Sequence, residues 1–185
     1  MIELLEAARE VQNFCERKAW RFCFIGGLAV LRWGETRVTL DVDLNILTGF
    51  GGEDQVIEAM LADFVPRMPS AREFAQRNRV LLLNSTRAIG IDVSLGALPF
   101  EESVIERASN FVYDTGIELR TCSAEDLIVM KLFASRPGDI RDVEGIAIRN
   151  RGSLDWRYVE EQLAPLAELK EDPEIMKTLD RLRGL

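Results

Sequence analysis

Leu4, Leu5, Ala8, Val11 and Phe14 recur at helical spacing, so the chain is expected to begin with an amphipathic helix over residues 2–18. Residues 21–25 read as a short apolar strand stopped by Gly26-Gly27, and a helix over 28–33 follows, ended by Gly34. From residue 39 to residue 46 the period changes to two. Leu40, Val42, Leu44 and Ile46 then face one way and Asp41, Asp43 and Asn45 the other, which sets both aspartates on one side of one strand. A glycine-rich loop (48–52) leads to a helix over 53–64, and Pro66 and Pro69 interrupt what comes next. Residues 80–83 and 89–95 read as strands turned at Ser85-Thr86, residues 100–107 as a short helix, and 111–113 with 117–119 as a small strand pair around Gly116.

Beyond that point only helices are expected. Ser123 is placed to cap a helix that reaches about residue 135, with Asp126 in the position a capping box gives to Glu or Gln. Pro137-Gly138 ends it, and further helices follow over 139–150, 155–168 and 173–182. The pattern predicts an α+β fold: a mixed sheet flanked by helices over residues 1–121, then a helical segment, 122–185, packed on that core.

Composition narrows the chemistry more than the fold. Nearly half of the 185 residues are apolar, which suits a globular chain. The formal charge of −8 disfavours broad adhesion to nucleic acid or anionic membrane, although Arg77, Arg79, Arg149 and Arg151 are candidates for a local basic patch. There is no histidine, which removes Ser-His-Asp and Cys-His catalysis and most zinc sites. Cys15, Cys23 and Cys122 form no CxxC, and the apolar surroundings of Cys15 and Cys23 read as core in a reducing compartment. The acidic N-terminus is unlike a signal peptide and no apolar run approaches membrane-spanning length, so a cytoplasmic protein is expected.

Two aspartates on one face of an apolar strand repel each other and are costly to bury. A divalent cation answers both difficulties, and Mg²⁺ takes one or two protein carboxylates together with substrate phosphates. A pair of such ions, which stabilises attacking and leaving oxygens in phosphoryl displacement, calls for a third carboxylate. Asp92, a lone acid in the apolar run Ile91-Asp92-Val93, supplies it and is placed to help deprotonate an attacking hydroxyl. Upstream, the glycine pair at a strand-to-helix turn lets a phosphate approach the backbone at a helix start. Each feature also has a plainer reading: a Gly-Gly turn, a solvated edge strand, a strand-end acid.

Gly26-Gly27, thirteen intervening residues, Asp41-Val42-Asp43-Leu44 and the later Asp92 resemble the polymerase-β nucleotidyltransferase superfamily. The full string from Gly26 to Leu44 resembles its AbiEii-like branch, which includes toxins of toxin–antitoxin and phage-defence systems. A second block, Asp126 to Lys131 followed by Arg136, Asp139 and Asp142, also has its counterpart there, so the likeness spans roughly residues 20–150. It implies catalytic and Mg²⁺-binding roles for Asp41, Asp43 and Asp92, and NTP contacts for Gly26, Gly27, Arg37, Lys131 and Asp142, with Asp139 nearby. Lys131 and its neighbours have the alternative reading of a solvated lysine and ordinary helix ion pairs. Many superfamily members carry Gly-Ser where this chain has Gly-Gly, so a serine contact to phosphate is missing.

The implied function is transfer of a nucleoside monophosphate from an NTP, with two Mg²⁺ ions, to tRNA, a protein or a small antibiotic-type molecule. A cognate antitoxin is the partner such a setting would supply. The other classes are a non-catalytic nucleotide-binding or antitoxin module, which the intact acid trio disfavours, and a structural domain with coincidental acids.

Overall fold

The helical period at the N-terminus forms α1 (Ile2–Arg17), which buries Leu4, Leu5, Ala8, Val11, Phe14 and Cys15. The computed structural model describes residues 1–113 and 115–184. These divide into two compact units, Met1–Leu28 with Val38–Cys122, and Ala29–Arg37 with Ser123–Leu185.

The first unit holds the sheet. Its strands are β1 (Phe22–Phe24), β2 (Asp41–Leu47), β3 (Val65–Pro66), β4 (Val80–Asn84), β5 (Gly90–Gly96), β6 (Ser109–Val112) and β7 (Glu118–Thr121). Among the described residues they make one seven-stranded sheet in the order β3-β4-β5-β2-β1-β7-β6. The pairs β2–β5 and β1–β7 are parallel and the rest antiparallel. A parallel β2–β5 pair needs a crossover, and α3 (Glu53–Asp63) and α4 (Ala71–Asn78) lie in the chain between them. Pro66 in β3 is tolerated because that strand lies at the sheet's edge.

Alternation along β2 buries Val42, Leu44 and Ile46 on one side. Burial of such side chains stabilises by about 1.5–3 kcal/mol each. Leu40 departs from the expected set: it is 73% exposed. The strand begins at Asp41, whose partner Gly90 is the first residue of β5, so Leu40 lies beyond the ladder that would have turned it inward. Gln12 ties α1 to the sheet, donating to Glu118 O at 3.2 Å and accepting from the Arg120 N–H at 3.0 Å. Helix α5 (Pro99–Arg107) covers the aspartate-bearing face at its far end, where Glu101 Cβ stands 3.3 Å from the place a Gly96 Cβ would take.

Helix α2 (Gly26–Trp33) begins two residues earlier than its apolar pattern implies. The second unit adds α6 (Ala124–Ala134), α7 (Pro137–Arg149), α8 (Trp156–Lys170) and α9 (Glu174–Leu182). Ser123 caps α6 by accepting from the Asp126 N–H at 3.1 Å. The Asp126 carboxylate takes the Ser123 hydroxyl at 2.6 Å and the Tyr158 hydroxyl at 2.7 Å. Pro137-Gly138 is the start of α7 rather than the end of α6; Ser135, in the left-handed region at φ 58°, ends α6. Proline suits the first turn of a helix, where its missing N–H goes unused.

All three cysteines are buried thiols, and burial pushes the Cys15 pKa up to about 12. Among the described residues, no helix is long and apolar enough to cross a membrane. Two of the four arginines named for a basic patch, Arg79 and Arg149, are bonded to backbone carbonyls within the chain. Arg79 pairs with Glu53 and donates to Gly49 O at 3.1 Å, and Arg149 donates to Gly34 O at 2.6 Å.

Candidate functional site

The first unit brings Asp41, Asp43 and Asp92 to one face of the sheet. Asp43 and Asp92 are direct partners across the parallel β2–β5 ladder, and Asp41 pairs with Gly90 two positions before. Neighbouring strands lie about 4.8 Å apart, which sets the backbone spacing of the first pair. Asp41 is exposed, while Asp43 and Asp92 are half-buried.

Gly26 and Gly27 meet this face at the start of α2. The Gly27 N–H donates to Asp43 Oδ2 at 3.2 Å, so the anion that the helix start holds here is the chain's own carboxylate. Gly26 has φ +53°, and a Cβ there would overlap the Asp43 carboxyl group. A Cβ at Gly27 would overlap the Thr39 side chain. Both glycines are therefore needed for α2 to start this close to the acidic strand.

This face also carries a cation, Arg67, that no sequence motif marks. Arg67 follows β3 and pairs with Asp92, and its Nη2 donates to Ile91 O at 3.4 Å. The pairing depends on sheet order, and no local signal in residues 64–70 announces it.

Among the described residues, no three Asp, Glu, Cys or His side chains are gathered to hold a metal ion by themselves. The acidic face nevertheless suits Mg²⁺ that arrives with phosphates, because two accessible carboxylates are a normal protein share for that ion. Asp41 and Asp43 supply them from one face of β2.

Arg37, Lys131, Asp139 and Asp142 fall in the second unit and are bonded to one another. Arg37 grips Asp142 with two hydrogen bonds, Nε to Oδ1 at 2.8 Å and Nη2 to Oδ2 at 2.9 Å. The Lys131 ammonium lies 2.7 Å from Asp142 Oδ2 and 2.9 Å from Asp139 Oδ1. Lys131 is thus no solvated surface lysine: it is 6% exposed, on a helix that buries residues on every side. Arg37, Arg136, Arg141, Asp139 and Asp142 line a cleft of about 430 Å³ in this unit.

Burial pulls the Asp142 pKa upward, but hydrogen bonds and charge from Arg37 and Lys131 outweigh it and hold the carboxyl below its ordinary 3.8. A folded-state pKa below the unfolded one gives stability that is complete above about pH 4 and is lost as pH falls through the folded value. Asp142→Asn is therefore expected to be less stable than the wild type at pH 7, with the gap closing below about pH 4. Urea midpoints measured across that range check it; a constant gap would contradict the pairing.

Several solved structures align with the chain. The structure of ANT(2")-Ia in complex with adenylyl-2"-tobramycin is 15% identical, with a TM-score of 0.50 over 91% of this chain and 96% of that one. The lincomycin-bound lincosamide antibiotic adenylyltransferase LnuA is 16% identical, with a TM-score of 0.49 over 76% of this chain and 94% of that one. An antigenic nucleotidyltransferase-like protein from Paracoccidioides brasiliensis is 16% identical, with a TM-score of 0.47 over 97% of this chain and 91% of that one. At these identities the likeness concerns the fold. No curated protein matches the chain in sequence. Residues 1–178, nearly the whole chain and including all the acids and glycines above, match one family, and the protein belongs to it: "Nucleotidyltransferase of unknown function (DUF6036)".

Proposed function

We propose that the acidic face of the sheet transfers a nucleoside monophosphate from an NTP to an acceptor hydroxyl, with Mg²⁺ bound through Asp41, Asp43 and Asp92. The observation that carries this reading is the seating of Asp43 on the Gly27 N–H, with Asp92 as its partner across the ladder. Bound Mg²⁺ would offset phosphate charge and stabilise the oxygens that gain charge.

The chain's own groups have separate tasks. The Gly27 N–H fixes the Asp43 carboxylate, and Gly26 leaves room for it. Asp92 is the base that takes the acceptor's proton. The acceptor oxygen bonds to the α-phosphorus, the bond from that phosphorus to the bridging oxygen breaks, and pyrophosphate leaves with the electron pair. Val38 and Leu40, 79% and 73% exposed beside Asp41, offer an apolar contact to a base or acceptor. In the second unit, the cleft that Arg37, Arg136 and Arg141 line has the donors that a phosphate attracts.

The toxin–antitoxin setting and the AbiEii-like branch rest on the residue strings around Gly26–Leu44 and Asp126–Asp142. The assay therefore runs tRNA, protein and small antibiotic-type acceptors side by side. Each labelled NTP is incubated with the protein and Mg²⁺, and pyrophosphate is measured. Release is expected with at least one NTP and acceptor, and it should stop in EDTA and return with added Mg²⁺. Release that persists undiminished in EDTA would refute the metal assignment, and no release or NTP binding under any condition would refute the transfer reading.

A further inference from the structure

The acidic face carries its own cation. Arg67 leaves the edge of the sheet just past β3, where its N–H bonds to Leu82 O at 3.0 Å. Leu82 is the partner of Asp92 across β4–β5, so the arginine is anchored opposite the acid that its side chain reaches over β4 to meet. Asp92 Oδ1 is closed to solvent, and its charge faces the Arg67 guanidinium.

The position of Gly90 makes a second, independent point. A Cβ there would overlap Asp41 Oδ1 and would stand 3.4 Å from Arg67 Nη1. The bare backbone at residue 90 therefore leaves room for both the Asp41 carboxylate and the Arg67 guanidinium on this face. One guanidinium thus stands beside two of the three aspartates, in the region where a cation has most to gain from them. An ordinary surface ion pair would satisfy one acid, lie mostly in solvent and need no glycine.

We infer that Arg67 is a tethered counter-ion: it holds Asp92 on the acidic face when no divalent cation is present, and gives up that carboxylate when one binds. The inference rests on the proposed function for the identity of the site. Arg67 is a positioning residue here, acting through Asp92. A guanidinium and a divalent ion that compete for one carboxylate lower each other's occupancy. Removal of the guanidinium also takes away a repulsive charge next to the incoming ion.

The test is metal binding by the full chain without nucleotide, with Mn²⁺ as the probe and free Mn²⁺ counted by electron paramagnetic resonance. Arg67→Gln is expected to bind Mn²⁺ at least about tenfold more tightly than the wild type. The gain should vanish in Arg67→Gln combined with Asp92→Asn. A second measurement keeps the wild-type fold: the Nε–Hε resonance of Arg67, assigned through Arg67→Lys, should shift as Mg²⁺ is raised to tens of millimolar. Equal Mn²⁺ affinity in the wild type and Arg67→Gln, or an unmoved resonance, overturns the inference and leaves metal-dependent pyrophosphate release untouched. Tighter Mn²⁺ binding in Arg67→Gln without any pyrophosphate release from the wild type would sustain the counter-ion and remove the transferase reading.

Discussion

Asp43→Ala is expected to lower nucleotide transfer by at least about a thousandfold, the equivalent of about 4 kcal/mol in the barrier. The carboxylate has two duties that one substitution removes together. It is a proposed Mg²⁺ ligand, and it accepts the Gly27 N–H at 3.2 Å at the start of α2. Loss of the second duty resembles loss of a helix cap, at about 1 kcal/mol. Asp43→Asn separates them, because an amide oxygen still accepts from Gly27 while the charge has gone. The asparagine variant should melt close to the wild type and yet be as inactive as the alanine variant. An asparagine variant within tenfold of wild-type turnover would show that the charge at residue 43 is not what the reaction needs.

The largest effect on stability is expected at Lys131. Its ammonium lies between Asp139 and Asp142, and Lys131 and Asp142 are nearly closed to solvent. Lys131→Met fits an apolar helix but takes away the ammonium between the two carboxylates, and the Arg37 that still pairs with Asp142 is 45% exposed. Removal of one partner from a buried ion network costs about 3–5 kcal/mol, a large part of the about 5–15 kcal/mol that holds a typical domain. Urea unfolding followed by far-ultraviolet circular dichroism would measure it. Adding Asp139→Leu to Lys131→Met should recover much of the loss, because the second change withdraws a stranded charge. A single-variant loss below about 1 kcal/mol would mean that the network is well screened by water.

The acidic strand was legible because its period of two is local: Asp41, Asp43 and Asn45 separate from Val42, Leu44 and Ile46 without knowledge of the partner strand. That the glycine pair belongs with it was legible too, through its place at a strand-to-helix turn. Leu40 shows where periodicity overreaches, since alternation in the sequence continues past the last ladder pair. Helix α4 was not foreseen: in Ala71–Asn78 only Ala71 and Ala75 are buried, too little to mark an apolar face after two prolines. The burial of Lys131 did leave a trace, because Leu127 to Phe133 is apolar except for the lysine, and a helix without a polar face has nowhere to solvate it. Arg67 left none. Its meeting with Asp92 is decided by strand order, which brings together residues that are far apart in sequence.

The placement of the cysteines has a practical consequence. Cys15, Cys23 and Cys122 are all shut inside, and the Cys15 thiol, with its pKa pushed up to about 12, stays protonated at neutral pH. Alkylating reagents attack the exposed thiolate. The native chain is thus already a quiet background for maleimide chemistry, and one cysteine introduced at exposed Thr36 or Val38 would take a fluorophore or spin label selectively. Label mobility at Val38 would then test whether nucleotide arrives at the proposed site, with no native thiol replaced.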